Sequence, residues 1–321
     1  MSAAHGGQPG GSPLVAPRDV DLAMVLWMLA LTALWGFNAV TVKVLVAGMA
    51  PIMSLAVRGA LALGPLTLLG WWRGESFRYR GLPALHLIAN GLVVGLEFIL
   101  IYIGARFTTG GRLAIFLNTA PFFTAVGAHF LLGERLHAKR VSGLLLAFLG
   151  ILALFGEELL GGQRGYWRGD LLVMGAALTW ALSTLHMKRF LIQDYGGYQL
   201  LYLPIVITTP LYYLASLLAE PVPFPAVTGV TVAILLFQAL LVVSFSYIKF
   251  LNLLRTYPAG ALHAYVFLTP VWGVITGVLM LGEGLTLPLV GGIVLVGLGL
   301  RLVNRPAPAA PRRGPGSATA G

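Results

Sequence analysis

The chain has 321 residues, of which 58% are hydrophobic and 10% charged, with a net charge of +10 and no cysteine. Soluble domains carry about 25% charged residues, so this composition excludes a single water-soluble core and makes lipid the solvent. The missing cysteines exclude disulfides, thiolate catalysis and Cys-based metal sites, and Lys and Arg confined between apolar runs fit the positive-inside rule better than nucleic-acid binding.

In chain order, residues 1–20 are rich in Gly, Pro and Ala, lack the apolar core of a cleavable signal peptide and are expected to form a disordered cytoplasmic tail. Ten apolar runs follow, each a candidate crossing of the roughly 20 residues that a bilayer requires. They are Leu22–Ala47, Ile52–Trp72, Leu82–Gly104, Gly110–Leu132, Val141–Phe155, Asp170–Lys188, Tyr198–Leu218, Val227–Phe250, Ala259–Leu281 and Leu285–Asn304. A transmembrane barrel needs short alternating segments, whereas Leu22–Leu45 and Leu285–Leu302 are apolar on every face. The sequence therefore predicts an all-α integral membrane fold. With the N-terminus inside, fifteen Lys and Arg residues fall on the cytoplasmic side and four (Arg106, Arg112, Arg164, Arg168) outside. This bias predicts both termini in the cytoplasm. Residues 306–321 form a second low-complexity tail.

The sequence also repeats itself. Gly111–Gly150 aligns without gaps onto Gly260–Gly299, matching Pro121 with Pro270, Gly133-Glu134 with Gly282-Glu283, Gly143 with Gly292 and Gly150 with Gly299. The same register puts Arg106 on Arg255, and earlier in each half Trp35 and Lys43 match Trp180 and Lys188, as Pro65 matches Pro210. Five crossings per copy is an odd number, so the second copy must enter the membrane upside-down. The expected organisation is two inverted five-helix repeats, residues 21–156 and 157–305. Inverted repeats recur in secondary transporters, with the substrate site near the midplane where they meet.

Individual residues sharpen that expectation. Glu97, deep in the third run, costs roughly 2.5–3.5 kcal/mol at mid-bilayer and must face a cavity or a partner. Asn90, Glu97 and Gly104 share one helix face. Binding of a substrate amine, proton coupling and an interhelical hydrogen bond are all open to Glu97. Pro121 and Pro270 interrupt the fourth and ninth runs and free the carbonyls of Leu117 and Val266, which predicts a gating bend or a static kink. Asn118 lies near the first proline, Tyr265 and Trp272 near the second, and Gln238 on the inner stripe of the eighth run. Asn38, with Trp35 and Thr41, is open to cavity binding or interhelical bonding. The candidate substrate-binding set is Asn38, Glu97, Asn118, Gln238, Tyr265 and Trp272, with Pro121 and Pro270 as gating positions. Arg58 is expected to pair with backbone or reach an interface, Lys249 to snorkel, and Glu134 and Glu283 to cap the helices that follow them.

The residues Trp35-Gly36-x-Asn38, Arg58-Gly59-Ala60, Pro121 and Leu132-Gly133-Glu134-Arg135-Leu136, repeated as Pro270 and Leu281-Gly282-Glu283-Gly284-Leu285, resemble the ten-helix EamA branch of the drug/metabolite transporter superfamily. Within it the chain looks most like bacterial exporters of aromatic amino acids. The resemblance implies export of amino acids and related metabolites across the bacterial inner membrane. Ala181, Leu182 and Ser183 depart from the pattern where Gly36, Phe37 and Asn38 stand in the first half. The six histidines lack metal-ligand spacing and no Walker-type phosphate loop occurs, so neither enzyme activity, metal nor cofactor is expected, and gradients must supply the energy. Efflux of cationic drugs is the runner-up, and a channel or a non-transporting scaffold the alternative from another class.

Overall fold

A peptide group in lipid finds no water to bond, so a spanning segment must satisfy its N–H and C=O groups within itself. The computed structural model, which describes residues 18–156, 165–224, 226–281 and 287–303, meets that demand with helices and, among the described residues, no strand. In chain order these are α1 (Leu22–Gly48), α2 (Pro51–Arg73), α3 (Gly81–Phe107), α4 (Gly110–Leu117), α5 (Ala120–Leu132), α6 (Ala138–Phe155), α7 (Trp167–Phe190), α8 (Gly197–Ala219), α9 (Gly229–Phe237), a π-helical segment (Gln238–Tyr247), α10 (Ile248–Thr256), α11 (Ala259–Tyr265), α12 (Leu268–Leu281) and α13 (Leu287–Val303). Among the described residues, nine helical stretches are long and apolar enough to cross a membrane. The expected tenth run contains the shorter apolar helix Val290–Val303. Both expected disordered tails lie outside the described residues, apart from residues 18–20.

Helix ends are closed by named side chains. Asp21 caps α1 by accepting from Met24 N at 2.9 Å. The buried Glu220 accepts from Ile52 N and Met53 N, each at 2.9 Å, and from Ser216 Oγ at 2.6 Å, thereby capping α2 from the far end of α8. The fourth and ninth runs break outright instead of merely bending. At Asn118–Thr119 and Val266–Phe267 the backbone changes to i→i+3 bonds, with Thr119 N donating to Phe116 O at 3.1 Å and Val266 N to His263 O at 3.0 Å. Pro121 then falls in the first turn of α5, where its missing N–H costs nothing.

The helices pack as α1 on α12, α2 on α8, α3 on α7, α5 on α7 and α6 on α13. Their outer faces stay apolar: Trp71, Trp72, Phe130, Leu218 and Leu287 are each at least three-quarters exposed and sit near helix ends. Lipid tails are as apolar as leucine, so burying such side chains gives helices little reason to associate; close approach of small residues does. The α6–α13 crossing is the clearest case. A Cβ on Gly143 would lie 2.7 Å from Gly299 O, and one on Gly150 would lie 2.7 Å from Gly292 O. Those pairings make the two helices antiparallel.

Gly292→Val forces a branched side chain into that crossing, where even a Cβ would lie 2.7 Å from Leu154 Cγ. Overpacking of this kind costs about 2 kcal/mol, seen as a lowered melting temperature of the detergent-solubilised protein. Gly291→Val, where a Cβ meets nothing within 4 Å, is expected to melt like the parent. Equal melting of the two variants would remove these glycines as determinants of the crossing.

Candidate functional site

Six spans meet on one aromatic wall. From α1, Trp35 Nε1 donates to Ser246 Oγ at 2.9 Å, and the Trp35 ring stands 6.1 Å from Tyr247 and 5.4 Å from Phe250. Tyr247 in turn lies 6.4 Å from Phe98 of α3, over which the Arg58 guanidinium of α2 sits at 4.9 Å from the ring centroid. Beyond Phe250 the series continues to His263 at 6.1 Å and from there to Trp180 of α7 at 5.0 Å. Every step falls within the separation of about 4.5–7 Å at which aromatic rings interact. The two tryptophans that the repeat pairs therefore sit on one continuous ladder.

Two charges border this wall. Arg58 and Glu97 are each only 6% exposed, and among the described residues neither makes a hydrogen bond or an ion pair. Phe98, beneath Arg58, is the residue that follows Glu97 in α3, and Tyr212 of α8 is anchored by donating to Gly95 O at 3.2 Å. The expected shared face of α3 packs on α7 above and below Glu97. Asn90 Oδ1 meets His186 Nδ1 at 3.1 Å, His186 Nε2 meets His86 Nδ1 at 3.0 Å, and a Cβ on Gly104 would touch Val173. Arg58 thus departs from its sequence reading. It bonds to no backbone and reaches no interface, but lies buried against Phe98.

The remaining expected site residues fall into two groups. Asn38, Thr41 and Gln238 form a chain in which Gln238 Nε2 donates to Thr41 Oγ1 at 3.1 Å and Thr41 Oγ1 donates to Asn38 O at 2.8 Å. Gln238 Oε1 is buried and, among the described residues, has no partner. Asn118, Tyr265 and Trp272 lie at the two helix breaks. Asn118 Nδ2 donates to Ala114 O at 2.7 Å, while Asn118 Oδ1 and Trp272 Nε1 are buried and unpartnered among the described residues. No direct hydrogen bond joins Glu97 to either group among the described residues.

Sequence reasoning missed His263. It is fully buried in α11, with Nδ1 3.0 Å from Thr124 Oγ1 of α5 and Nε2 3.0 Å from Thr184 Oγ1 of α7. A neutral imidazole offers one donor and one acceptor, and two hydroxyls satisfy both, pinning three helices together. Spacing alone gave no signal, because its partners lie 139 and 79 residues away.

At one end the wall is closed by the hairpin that joins α10 to α11. Lys188 Nζ of α7 donates to Leu254 O and, at 2.7 Å, to Tyr257 O. Arg255 Nε donates to Ile192 O at 3.1 Å. Asp21 accepts from Tyr257 OH at 2.9 Å and pairs with Arg18 at 3.3 Å. The Met24 amide, followed by the Tyr257 hydroxyl, holds the Asp21 carboxyl below its ordinary range, while burial and then Asp21 push the Tyr257 phenol up. This linkage is present above the ordinary Asp value of about 3.9 and is lost only as pH falls through the lowered native value. Gly133, at φ 69°, turns the chain after α5 in a conformation that favours glycine. Glu134 is thereby aimed across the bundle, accepting from Ala259 N at 2.7 Å, Gly260 N at 3.3 Å and Arg140 at 3.1 Å. The expected cap on the following helix is therefore a cap on α11 of the other repeat; Glu283 lies outside the described residues. At the opposite end Asp170 of α7 accepts from Thr108 Oγ1 at 2.7 Å and pairs with Arg112.

A family model described as "EamA-like transporter family" matches residues 22–156 and 167–305. The chain is 26% identical to "Uncharacterized transporter YoaV" of Bacillus subtilis (strain 168), over 86% of this chain and 95% of that protein. It is 27% identical to "Probable amino-acid metabolite efflux pump" of Escherichia coli (strain K12), over 85% of this chain and 91% of that protein. A solved crystal structure superposes with a TM-score of 0.75 at 18% identity, covering 88% of this chain and 98% of its own, and so shares the fold. Matched across both halves, the chain belongs to the EamA-like transporter family.

Proposed function

We propose that this protein is a secondary transporter that exports amino acids, aromatic and hydrophobic ones among them, and related small metabolites by alternating access. The observation that carries the reading is the aromatic ladder at the meeting of the two repeats, bordered by buried polar groups without protein partners and latched at one end. The name of the Escherichia coli relative supports the substrate class. The antiparallel crossing of α6 on α13, helices that the repeat pairs, supports inversion of two five-helix halves, with Val290–Val303 in the tenth span. On the basic-residue count both termini are cytoplasmic in a bacterial inner membrane, which makes the latched end the cytoplasmic one.

Counterflow in proteoliposomes tests carriage itself. Labelled L-phenylalanine outside is expected to accumulate severalfold faster in vesicles preloaded with unlabelled L-phenylalanine than in empty ones, because a carrier returns loaded. A channel or scaffold gives no trans-stimulation. Single cysteines introduced at Gly133 and Gly282 into this cysteine-free chain are expected to react from opposite faces of the membrane; reaction from one face would exclude inversion.

The latch has its own test. Lys188→Met deletes two charge-assisted hydrogen bonds, and a net loss of about 2 kcal/mol shifts a closed-to-open ratio roughly 30-fold. A reporter cysteine at Ser183, buried in α7, is expected to react much faster with a membrane-impermeant maleimide from the cytoplasmic side in that variant. An unchanged rate would mean that Lys188 does not hold the gate.

A further inference from the structure

Arg58 and Glu97 are opposite charges, each 6% exposed, and Arg58 lies 4.9 Å over the ring of Phe98, the residue that follows Glu97 in α3. A guanidinium offers five donors and a carboxylate accepts at two oxygens, yet among the described residues neither group is hydrogen-bonded. Buried charges ordinarily find partners; here Arg58 has the face of Phe98 but, among the described residues, neither it nor Glu97 has a hydrogen-bond or ion-pair partner.

We infer that Arg58 and Glu97 are the two poles of a site for the α-amino and α-carboxylate groups of a zwitterionic amino acid. Resting on the transporter reading, this inference gives the substrate its chemistry. The ligand's carboxylate takes the Arg58 fork, its ammonium takes Glu97, and its side chain lies along Phe98, Tyr247 and Trp35. A lone cation leaves Arg58 unmet and is repelled by it, a lone anion leaves Glu97 unmet, and an acidic side chain meets aromatic faces. The selected class is therefore neutral α-amino acids with aromatic or large apolar side chains. The second repeat cannot form the same site. The register that puts Pro210 on Pro65 puts Leu203 on Arg58, and the register that puts Arg255 on Arg106 puts Ser246 on Glu97. One site per chain follows.

The test uses full-length purified protein, reading ligand-induced thermal protection in detergent alongside counterflow in liposomes. L-phenylalanine, L-tryptophan and L-leucine are compared with phenethylamine, which lacks the carboxylate, and 3-phenylpropionate, which lacks the amine. At least one zwitterion is expected to protect at tenfold or more lower concentration than either truncated probe. Arg58→Gln is expected to abolish the preference over phenethylamine, and Glu97→Gln the preference over 3-phenylpropionate. Retention of either preference in its own variant overturns the site, as does absence of protection by all three amino acids in the parent. Should Arg58→Gln fail to fold, Arg58→Lys decides, because an ammonium keeps the charge but loses the bidentate fork. It is expected to weaken L-phenylalanine about tenfold while leaving phenethylamine unchanged, and equal effects on both overturn the site. Selective protection without counterflow overturns transport and keeps the site; counterflow with unaltered selectivity in both variants overturns the site and keeps transport.

Discussion

Lipid cannot hydrogen-bond a peptide group, so any carbonyl released from a helix must face protein or a wet chamber. Along most of the chain continuous helices satisfy this constraint internally. The regular α-helical ladder changes at Asn118–Thr119 and Val266–Phe267, where i→i+3 bonds take over, and through the π-helical segment Gln238–Tyr247. All three interruptions border the aromatic ladder: Ser246 and Tyr247 close the π segment, His263 precedes the second break by three residues, and Thr124 follows the first. π segments in otherwise α-helical spans frequently mark functional sites, and here one supplies both the acceptor for Trp35 and the ring facing Phe98.

Duplication separates what the fold requires from what the site requires. In the register that pairs Arg106 with Arg255, Phe98 falls on Tyr247, and these counterparts face each other across 6.4 Å. The glycine contacts obey the same exchange: Gly143 meets Gly299, and their counterparts Gly292 and Gly150 meet in turn. Packing residues are thus kept in both copies. Arg58 and Glu97 are not, having Leu203 and Ser246 as counterparts. A charge in mid-membrane costs roughly 2.5–3.5 kcal/mol on insertion scales, and a scaffold alone would have no use for two of them in one copy.

How much of this was legible in the sequence follows from the range of each interaction. The spans rest on local hydropathy, and the observed helix ends lie within a few residues of the apolar runs. The fifth starts earlier, at Ala138 instead of Val141. The burial of Glu97 was legible because a lone carboxylate in an apolar run admits few alternatives. Arg58 was misread because a long cationic side chain can snorkel, and only the tertiary fold puts Phe98 beneath it. Glu134 was read as a local cap because capping signals are local, whereas the αL turn at Gly133 sends its carboxylate to a helix more than a hundred residues away. The π segment holds neither Pro nor Gly, so no breaker residue announces it.

The two hairpins that α7 touches are held in different ways. Asp170 holds the loop between α3 and α4, both of which pack on α7 themselves. That contact therefore joins elements that already pack on one another. Lys188, at the other end of α7, holds the hairpin between α10 and α11, and the π segment and α12 flanking these helices pack on α1. It therefore ties α7 to a hairpin whose second helix also bonds α7 through His263. Its acceptors are backbone carbonyls at the end of α10, where a cation is favoured by the helix dipole. When the joint opens, water can replace the lysine at those carbonyls, so breaking it leaves no buried group unpaired. A joint of that kind can close firmly and still separate at modest cost.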